Sequence, residues 1–256
     1  MHRRRASFPA LFTVICLAVI VGITVSVSAV FFITFRSLSY NHIETNTREN
    51  LNHLRDRVMA KFQEWTGLVQ HTAIGVAPLM AQQQVDQATI RRFFQQLLAT
   101  QTDVVLLYCS NNLEWNEPGS YVVFDTEFVP PPDWNKTQRN WFTAAKKNPG
   151  QAGYADPYVD IVTQKLITSV SFVAFDEDGR DMGVVAGDVS IDFLDELLQK
   201  SAFVPGQKSF FLNQEGLFIT HPEGDAVLQK NFFTEEALEP YQDAILASQT
   251  FSIIDA

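Results

Sequence analysis

No charged side chain occurs between Ala6 and Phe35, and the whole chain of 256 residues holds only two cysteines. Positive charge is also scarce, with 19 Lys and Arg against 29 Asp and Glu. Each shortage excludes something. Cys16 lies inside the uncharged run and Cys109 stands alone beyond it, so no intrachain disulfide framework exists and the fold must be held by burial. Beyond residue 35 there are 16 basic and 29 acidic residues, a net of −13. Such a surface repels phosphate, which argues against nucleic acid as a partner and against tight docking on anionic lipid. There is no low-complexity tract and no short repeat.

Catalytic signatures are missing as well. No Ser/His/Asp arrangement, phosphate loop or metal-ligand spacing stands out, so no catalytic residue, metal or cofactor is expected. The acidic stretch Asp176–Asp181 lacks the alternating ligands and terminal Glu of a calcium loop and reads as a solvated turn. His221, a lone histidine ahead of Pro222, reads as structural rather than catalytic.

What is present begins with the run Leu11–Phe35, almost wholly apolar or small. A helix rising about 1.5 Å per residue needs roughly 20 such residues to cross a bilayer core. The run is longer than the ~7–15 apolar residues of a cleaved signal and closes on bulky Phe31, Phe32 and Phe35, so an uncleaved anchor is expected. Arg3, Arg4 and Arg5 precede it and should stay in the cytoplasm, which puts the remainder outside.

After Arg36, the steps of three and four between Leu51, Leu54, Val58, Phe62, Trp65 and Leu68 predict a long helix to about residue 77, weakened at Gly67 and ended at Pro78. Its stripe must pack on a lobe of the same chain, on a second copy, or on both. A second helix over 87–100 is expected behind an Asp86 cap, with Ile90, Phe93, Phe94, Leu97 and Leu98 buried. Strands are expected at Val104–Tyr108, Tyr121–Phe124, 158–163, 165–175 and 182–190, with a turn at Asp176–Gly179 between the last two. Pro130, Pro131 and Pro132 force an extended segment before a short helix at about 137–147. Ile191–Leu198 reads as a helix. Ser209–Leu212 and Leu217–Thr220 read as a hairpin opening a second lobe, which the chain does not carry far enough to close, so a longer parent protein is expected.

The stretch Trp134–Asp188 gathers Trp134, Arg139, Trp141, Phe142, Tyr158, Asp160 and Asp188 in a region otherwise built for packing. Arg139 falls early in the short helix. Tyr158 and Asp160, two apart on a strand, face one side of a sheet. Asp188 lies in an apolar strand where an unpaired charge is costly. A guanidinium, aromatic walls and carboxylates suit a small zwitterion: Arg grips a carboxylate with two parallel N–H donors, Asp accepts from an ammonium, and rings exclude water. Each residue also has a bland reading. Arg139 can pair with Asp133 on the surface, the aromatics can be core, Tyr158 and Asp160 can be edge and turn residues, and Asp188 can cap the helix that follows.

Trp134-x4-Arg139-x-Trp141-Phe142, Tyr158-x-Asp160 and Gly187-Asp188-Val189-Ser190-Ile191 resemble the double Cache family of bacterial extracytoplasmic sensor domains, and within it the amino-acid-binding subset. The resemblance covers about 36–256. It implies an α+β fold: an N-terminal transmembrane helix, a long stalk helix, and two PAS-like α/β lobes, each with an antiparallel sheet, the membrane-proximal one incomplete here. The corresponding divisions are 1–8 cytoplasmic, 9–35 transmembrane, 36–84 stalk, 85–198 membrane-distal ligand-binding lobe and 199–256 membrane-proximal lobe.

The resemblance further implies that Arg139 and Trp141 hold a ligand carboxylate, that Tyr158 and Asp188 hold its amino group, and that Asp160 is the nearby acid. Trp134 and Phe142 depart from the pattern, since each stands where the family has Tyr and each removes a hydroxyl. The expected protein is a bacterial inner-membrane receptor with its sensor outside, binding an amino-acid- or amine-like ligand, with a homodimer along the stalk. The same input domain serves chemoreceptors, histidine kinases and nucleotide-messenger enzymes, so the output is not readable here. A membrane-tethered module that meets a protein partner is the alternative, supported by the two lost hydroxyls. An anchored enzyme ranks last.

Overall fold

The computed structural model describes residues 8–101, 103–160, 165–200 and 209–247, with side chains from residue 23 onward. The chain divides into two compact units, Met1–His53 and Leu54–Ala256. Cys16 therefore lies outside the residues whose side chains are described.

Helix α1 runs Phe8–Met80. Among the described residues it is the one helix long and apolar enough to cross a membrane, by length and composition, and its apolar window is wholly exposed. Ile23, Val25, Val27, Phe31, Phe32 and Phe35 all point outward, as apolar side chains facing hydrocarbon would. The helix runs through Pro78 to Met80 rather than stopping before the proline. A missing N–H and a ring clash are most easily absorbed near a helix end.

Within the second unit, the α1 residues Trp65, Val69, Ala73, Val76, Ala77 and Met80 are buried in the main core. The 3.6-residue period puts them on one face. The C-terminal part of the expected stalk is thus a core element of the globular unit. Helix α2, Gln87–Leu98, starts where Asp86 accepts from the backbone N–H groups of Ala88 and Thr89 at 3.0 and 3.2 Å, satisfying orphan donors of the first turn. It buries Ile90 and Phe94 beside α1.

Strands β1 (Val104–Ser110), β2 (Val122–Phe124), β3 (Gly153–Tyr154), β4 (Tyr158–Val159), β5 (Leu166–Phe175) and β6 (Asp181–Ser190) form one antiparallel sheet. Its order is β2-β1-β6-β5-β3, and β4 also pairs with β5. The short β3 was not anticipated, because two residues carry no alternation. The expected strand at 158–163 reduces to β4, and residues 161–164 lie outside the described set.

Successive side chains of a strand point to opposite faces, and here both faces are covered. Leu107, Cys109, Val170, Phe172, Val185 and Val189 face α1 and α2. Leu106, Tyr108, Val173, Val184 and Ala186 face a second core made with Trp134, Trp141 and Phe142. A register shift between Val104 and Leu106 lets Val104 join the first core while Leu106 joins the second, the usual effect of an extra residue on one strand.

Helix α3 (Asn140–Lys147) lies on the second face, and α4 (Asp192–Gln199) follows β6. Beyond residue 208, the expected hairpin is reduced to a single bridge between Leu212 and Phe218. Helices α5 (Phe232–Glu235) and α6 (Gln242–Ala247) are short, and no named strand lies among the described residues there.

Two glycines test this packing in opposite directions. Gly183 sits at φ +137°, and a Cβ there would strike the Ser110 carbonyl on the neighbouring strand. Gly67 lies in α1 with open space where a Cβ would go. Thermal melting followed by circular dichroism should show Gly183→Ala destabilised by about 2 kcal/mol or more. Gly67→Ala should be stabilised by up to about 1 kcal/mol.

Candidate ligand-binding site

The segment that carries Trp134 and Arg139 is built by turns. The Trp134 N–H donates to the Pro131 carbonyl at 3.0 Å, and Asn135 caps a 3-10 turn, Lys136–Gln138. Arg139 is then the N-cap of α3, with extended backbone (φ −76°, ψ 144°) and no capping side chain. It precedes the helix rather than lying within its first turn. Its carbonyl accepts from the N–H groups of Phe142 and Thr143, both at 3.0 Å, while its side chain is left over for other work.

The Arg139 guanidinium lies over the Trp134 indole, 5.6 Å from the ring centroid. Among the described residues no carboxylate is within ion-pairing distance of it, Asp133 included. Together with Gln138, Asn140, Trp141 and Tyr158 it lines a pocket of about 200 Å³. Trp141 packs edge-on to Tyr108 at 5.0 Å, and Trp134 stacks on Trp141 at 6.5 Å. Trp134, Trp141 and Phe142 are buried members of the second core, so each has a packing role whatever else it does.

A neighbouring cluster, sharing Tyr158, is acidic and hydroxyl-rich. Asp188 stands directly across from Ser169 on β5 and from Leu106 on β1, and is 3% exposed. Its Oδ1 accepts from Ser169 Oγ at 2.6 Å and from Tyr108 Oη at 2.7 Å, and Tyr158 Oη lies 3.4 Å from it. The single Ser169 hydroxyl hydrogen goes to Asp188, so Tyr158 is the donor in its 2.9 Å bond with Ser169. Asp160, 4% exposed, follows β4 on the same side as Tyr158. Its backbone N–H donates to the Lys165 carbonyl at 2.9 Å.

Burial pushes the Asp188 carboxyl up to about 7, and the Asp160 charge adds to the rise, while the Ser169, Tyr108 and Tyr158 hydroxyls oppose it. Burial likewise raises the Tyr108 and Tyr158 phenols, with Asp188 reinforcing the effect. All three groups are thus weaker acids than usual, and a cation placed among them would be the group that releases the Asp188 proton.

Tyr158 lines the Arg139 pocket and its hydroxyl lies in the Asp188 cluster, so one side chain is common to the two groups. Sequence reasoning missed Tyr108, Ser169 and Lys136. Ser169 had a signal, since Ser169 and Ser171 are polar positions two apart in an apolar strand. Tyr108 and Lys136 had none, because only the sheet order and the loop packing bring them in. Two larger hollows lie elsewhere, about 540 Å³ beside Tyr154 and Asn148 and about 660 Å³ beside Phe193 and Lys61. In the second, Lys61 is already paired with Asp103 and Glu64.

The described fold is that of solved ligand-binding domains of bacterial chemoreceptors, as the double Cache resemblance anticipated. No family model matches the chain. In structure it is similar to the ligand-binding domain of Mlp24 with asparagine (TM-score 0.60, 20% identity, 75% of this chain and 74% of that one). It is also similar to that of the Pseudomonas aeruginosa amino-acid chemoreceptor PctC with GABA (TM-score 0.58, 22% identity, 74% and 81%). A third is that of the Pseudomonas fluorescens chemoreceptor CtaA with L-serine (TM-score 0.58, 19% identity, 75% and 79%).

In sequence the chain is similar to methyl-accepting chemotaxis proteins. PctB of Pseudomonas aeruginosa is 26% identical over 111 residues, which is 43% of this chain and 17% of PctB. McpA of Pseudomonas putida is 31% identical over 99 residues, 39% of this chain and 15% of McpA. The matched region is therefore less than a fifth of these relatives' length.

The raised Asp188 carboxyl gives a sign that can be checked. Between about pH 4 and pH 7 the folded protein holds a proton that the unfolded chain, with an ordinary carboxyl near 3.8, has lost. Stability of the ligand-free protein should fall as pH rises through that window. Asp188→Asn should flatten the dependence, read as melting temperature between pH 4 and 8. Tyr108→Phe removes a hydroxyl that favours the ionised form and should move the window's upper edge higher.

Proposed function

We propose that this chain is the extracytoplasmic sensing region of a bacterial transmembrane receptor, and that its distal lobe binds a small amino-acid- or amine-like ligand. The observation that carries this reading is a guanidinium with no carboxylate partner among the described residues, sharing one pocket with Tyr158, whose hydroxyl joins a buried acid. A ligand carboxylate would sit on Arg139 beside Trp141, and its ammonium would be received by Tyr158, Asp160 and Asp188. Trp134 supplies the face on which the guanidinium rests, a contact that keeps its N–H fork open for a carboxylate. Phe142 backs the site as an apolar wall.

The amino-acid ligands of the structural relatives support this choice. The arginine cluster ahead of the apolar run supports an N-terminus in the cytoplasm and a sensor outside. Exposed Met59 and Ile74 on α1 support a homodimer along that helix. Ligand binding would act through its differential affinity for two arrangements of α1, with no chemical step in this region. A protein-interaction module without a small ligand is the second reading, and the burial of Trp134 and Phe142 as core residues favours it.

Calorimetry of the full chain in lipid nanodiscs, with L-alanine, L-serine, L-asparagine, L-arginine and GABA as probes, separates the two. At least one probe should bind. Arg139→Ala and Asp188→Ala should each weaken that probe by about 10- to 100-fold, the worth of a charge-assisted hydrogen bond. Binding should also strengthen as pH rises from about 5 to about 8, because Asp188 then loses its proton to solvent and meets the ligand ammonium as a carboxylate. A folded sample that ignores every probe favours the protein partner.

A further inference from the structure

Lys136 is 0% exposed, yet among the described residues no carboxylate lies within ion-pairing distance of it. Its Nζ donates to Asn111 Oδ1 and to the Tyr121 carbonyl at 2.9 Å. An ammonium held only by neutral oxygens is an expensive thing to bury, and a merely structural tie in this place could be made with an amide. Asn111 in turn accepts from the Tyr121 N–H at 3.3 Å and donates to the Gly119 carbonyl at 2.8 Å. One lysine therefore closes the whole loop between β1 and β2 onto the 3-10 turn.

The neighbours of Lys136 in sequence are the ligand-site residues. Trp134 lies two positions before it and Arg139 three after. Both flanks touch the same loop: Trp134 packs edge-on against Trp115 at 5.3 Å, and Thr137 Oγ1 donates to Glu114 Oε2 at 3.0 Å. The Thr137 contact is exposed, and the Trp115 contact has no direction beyond ring packing. Only the Lys136 contact is buried, charged and directional.

We infer that Lys136 is a positioning residue for the ligand site, its buried ammonium fixing the turn from which Arg139 and Trp134 project. It touches no ligand itself. The inference rests on the amino-acid-binding reading for its functional consequence and on the loop geometry for its mechanical one.

Burial lowers the Lys136 ammonium to about 8, with the buried Cys109 and the more distant Glu114 and Glu117 pulling the other way. Among the described residues, those groups and the Tyr121 ring, 5.9 Å from the ammonium, are the titratable and charged groups that face it. As pH rises through about 8, the clamp becomes a neutral amine with weaker hydrogen bonds.

The test uses the full chain in nanodiscs and whichever probe of the amino-acid panel binds wild type. In Lys136→Met, with circular dichroism unchanged, affinity should fall about tenfold or more. Between about pH 7.5 and 9 wild type should weaken more steeply than the variant, which keeps only the shallower loss due to the ligand's own ammonium, because the clamp titrates near 8. Lys136→Arg, which keeps a charge at every pH, should recover part of the affinity without that extra steepness. Affinity within twofold of wild type in Lys136→Met, or a weakened affinity that keeps the wild-type steepness, overturns the inference.

Should Lys136→Met fail to fold, Lys136→Gln is read by the same criteria. Should no probe bind wild type, the functional reading fails and the clamp is judged without ligand. Greater acrylamide quenching of tryptophan in the variant then supports it, and unchanged quenching rejects it.

Discussion

The structure depends on a sheet that is covered on both faces. Strands β5 and β6 pair over nine positions, from Ile167 with Ser190 to Phe175 with Asp181. Their alternation decides what each face meets. One set of side chains is committed to α1 and α2, the other to α3 and the aromatic segment before it. Neither face is left to water, so a polar residue in either set must find partners inside the protein or remain a costly burial. Ser169 and Asp188 do find them, in each other and in the two tyrosines.

That constraint sets the candidate site back to back with the part of α1 in the same unit. Asp188 and Val189 are adjacent in β6 and point to opposite faces. Asp188 meets Tyr108, Ser169 and Tyr158, while Val189 belongs to the core of Trp65 and Val69 on α1. The separation between chemistry and helix packing is one sheet thick. Gly187 shows how close the second layer is, for a Cβ there would press on Val69 and Leu107. A ligand that shifted β6 or its neighbours would reach α1 through packed atoms rather than through a flexible loop, a physical basis for a two-state response.

The two halves of the site are held differently. The acidic half sits on strands, where backbone pairing fixes Asp188, Ser169 and Tyr108 without help. The basic half sits on a turn that has no sheet bonds of its own, and its geometry comes from side chains reaching to another loop. A guanidinium resting on an indole, a buried ammonium on an asparagine and a tryptophan against a tryptophan together do what a strand does elsewhere. Precision of a binding site usually follows the rigidity of its support, and here the basic half had to borrow that rigidity.

By itself, the sequence determined the elements whose signal is local. The uncharged run before Arg36, the Asp86 cap of α2 and the turn at Asp176–Gly179 are all readable from neighbours in the chain. So are the long apolar strands β5 and β6, and Asp188 was conspicuous as an acid in an apolar strand. The spacing of Trp134, Arg139 and Trp141 singled out a segment that the fold places against the second face of the sheet. What only the tertiary structure decided is which distant residues share a face. Tyr108 became a partner of Asp188 because β1 lies next to β6, a matter of strand order that alternation within one strand does not encode. Arg139 became an N-cap rather than a helical residue because the 3-10 turn before it is held by another loop. Lys136 carries no signal in the sequence around it. Its burial depends on Asn111 and Tyr121, 25 and 15 residues away, and contacts at that range exist only once the chain has folded.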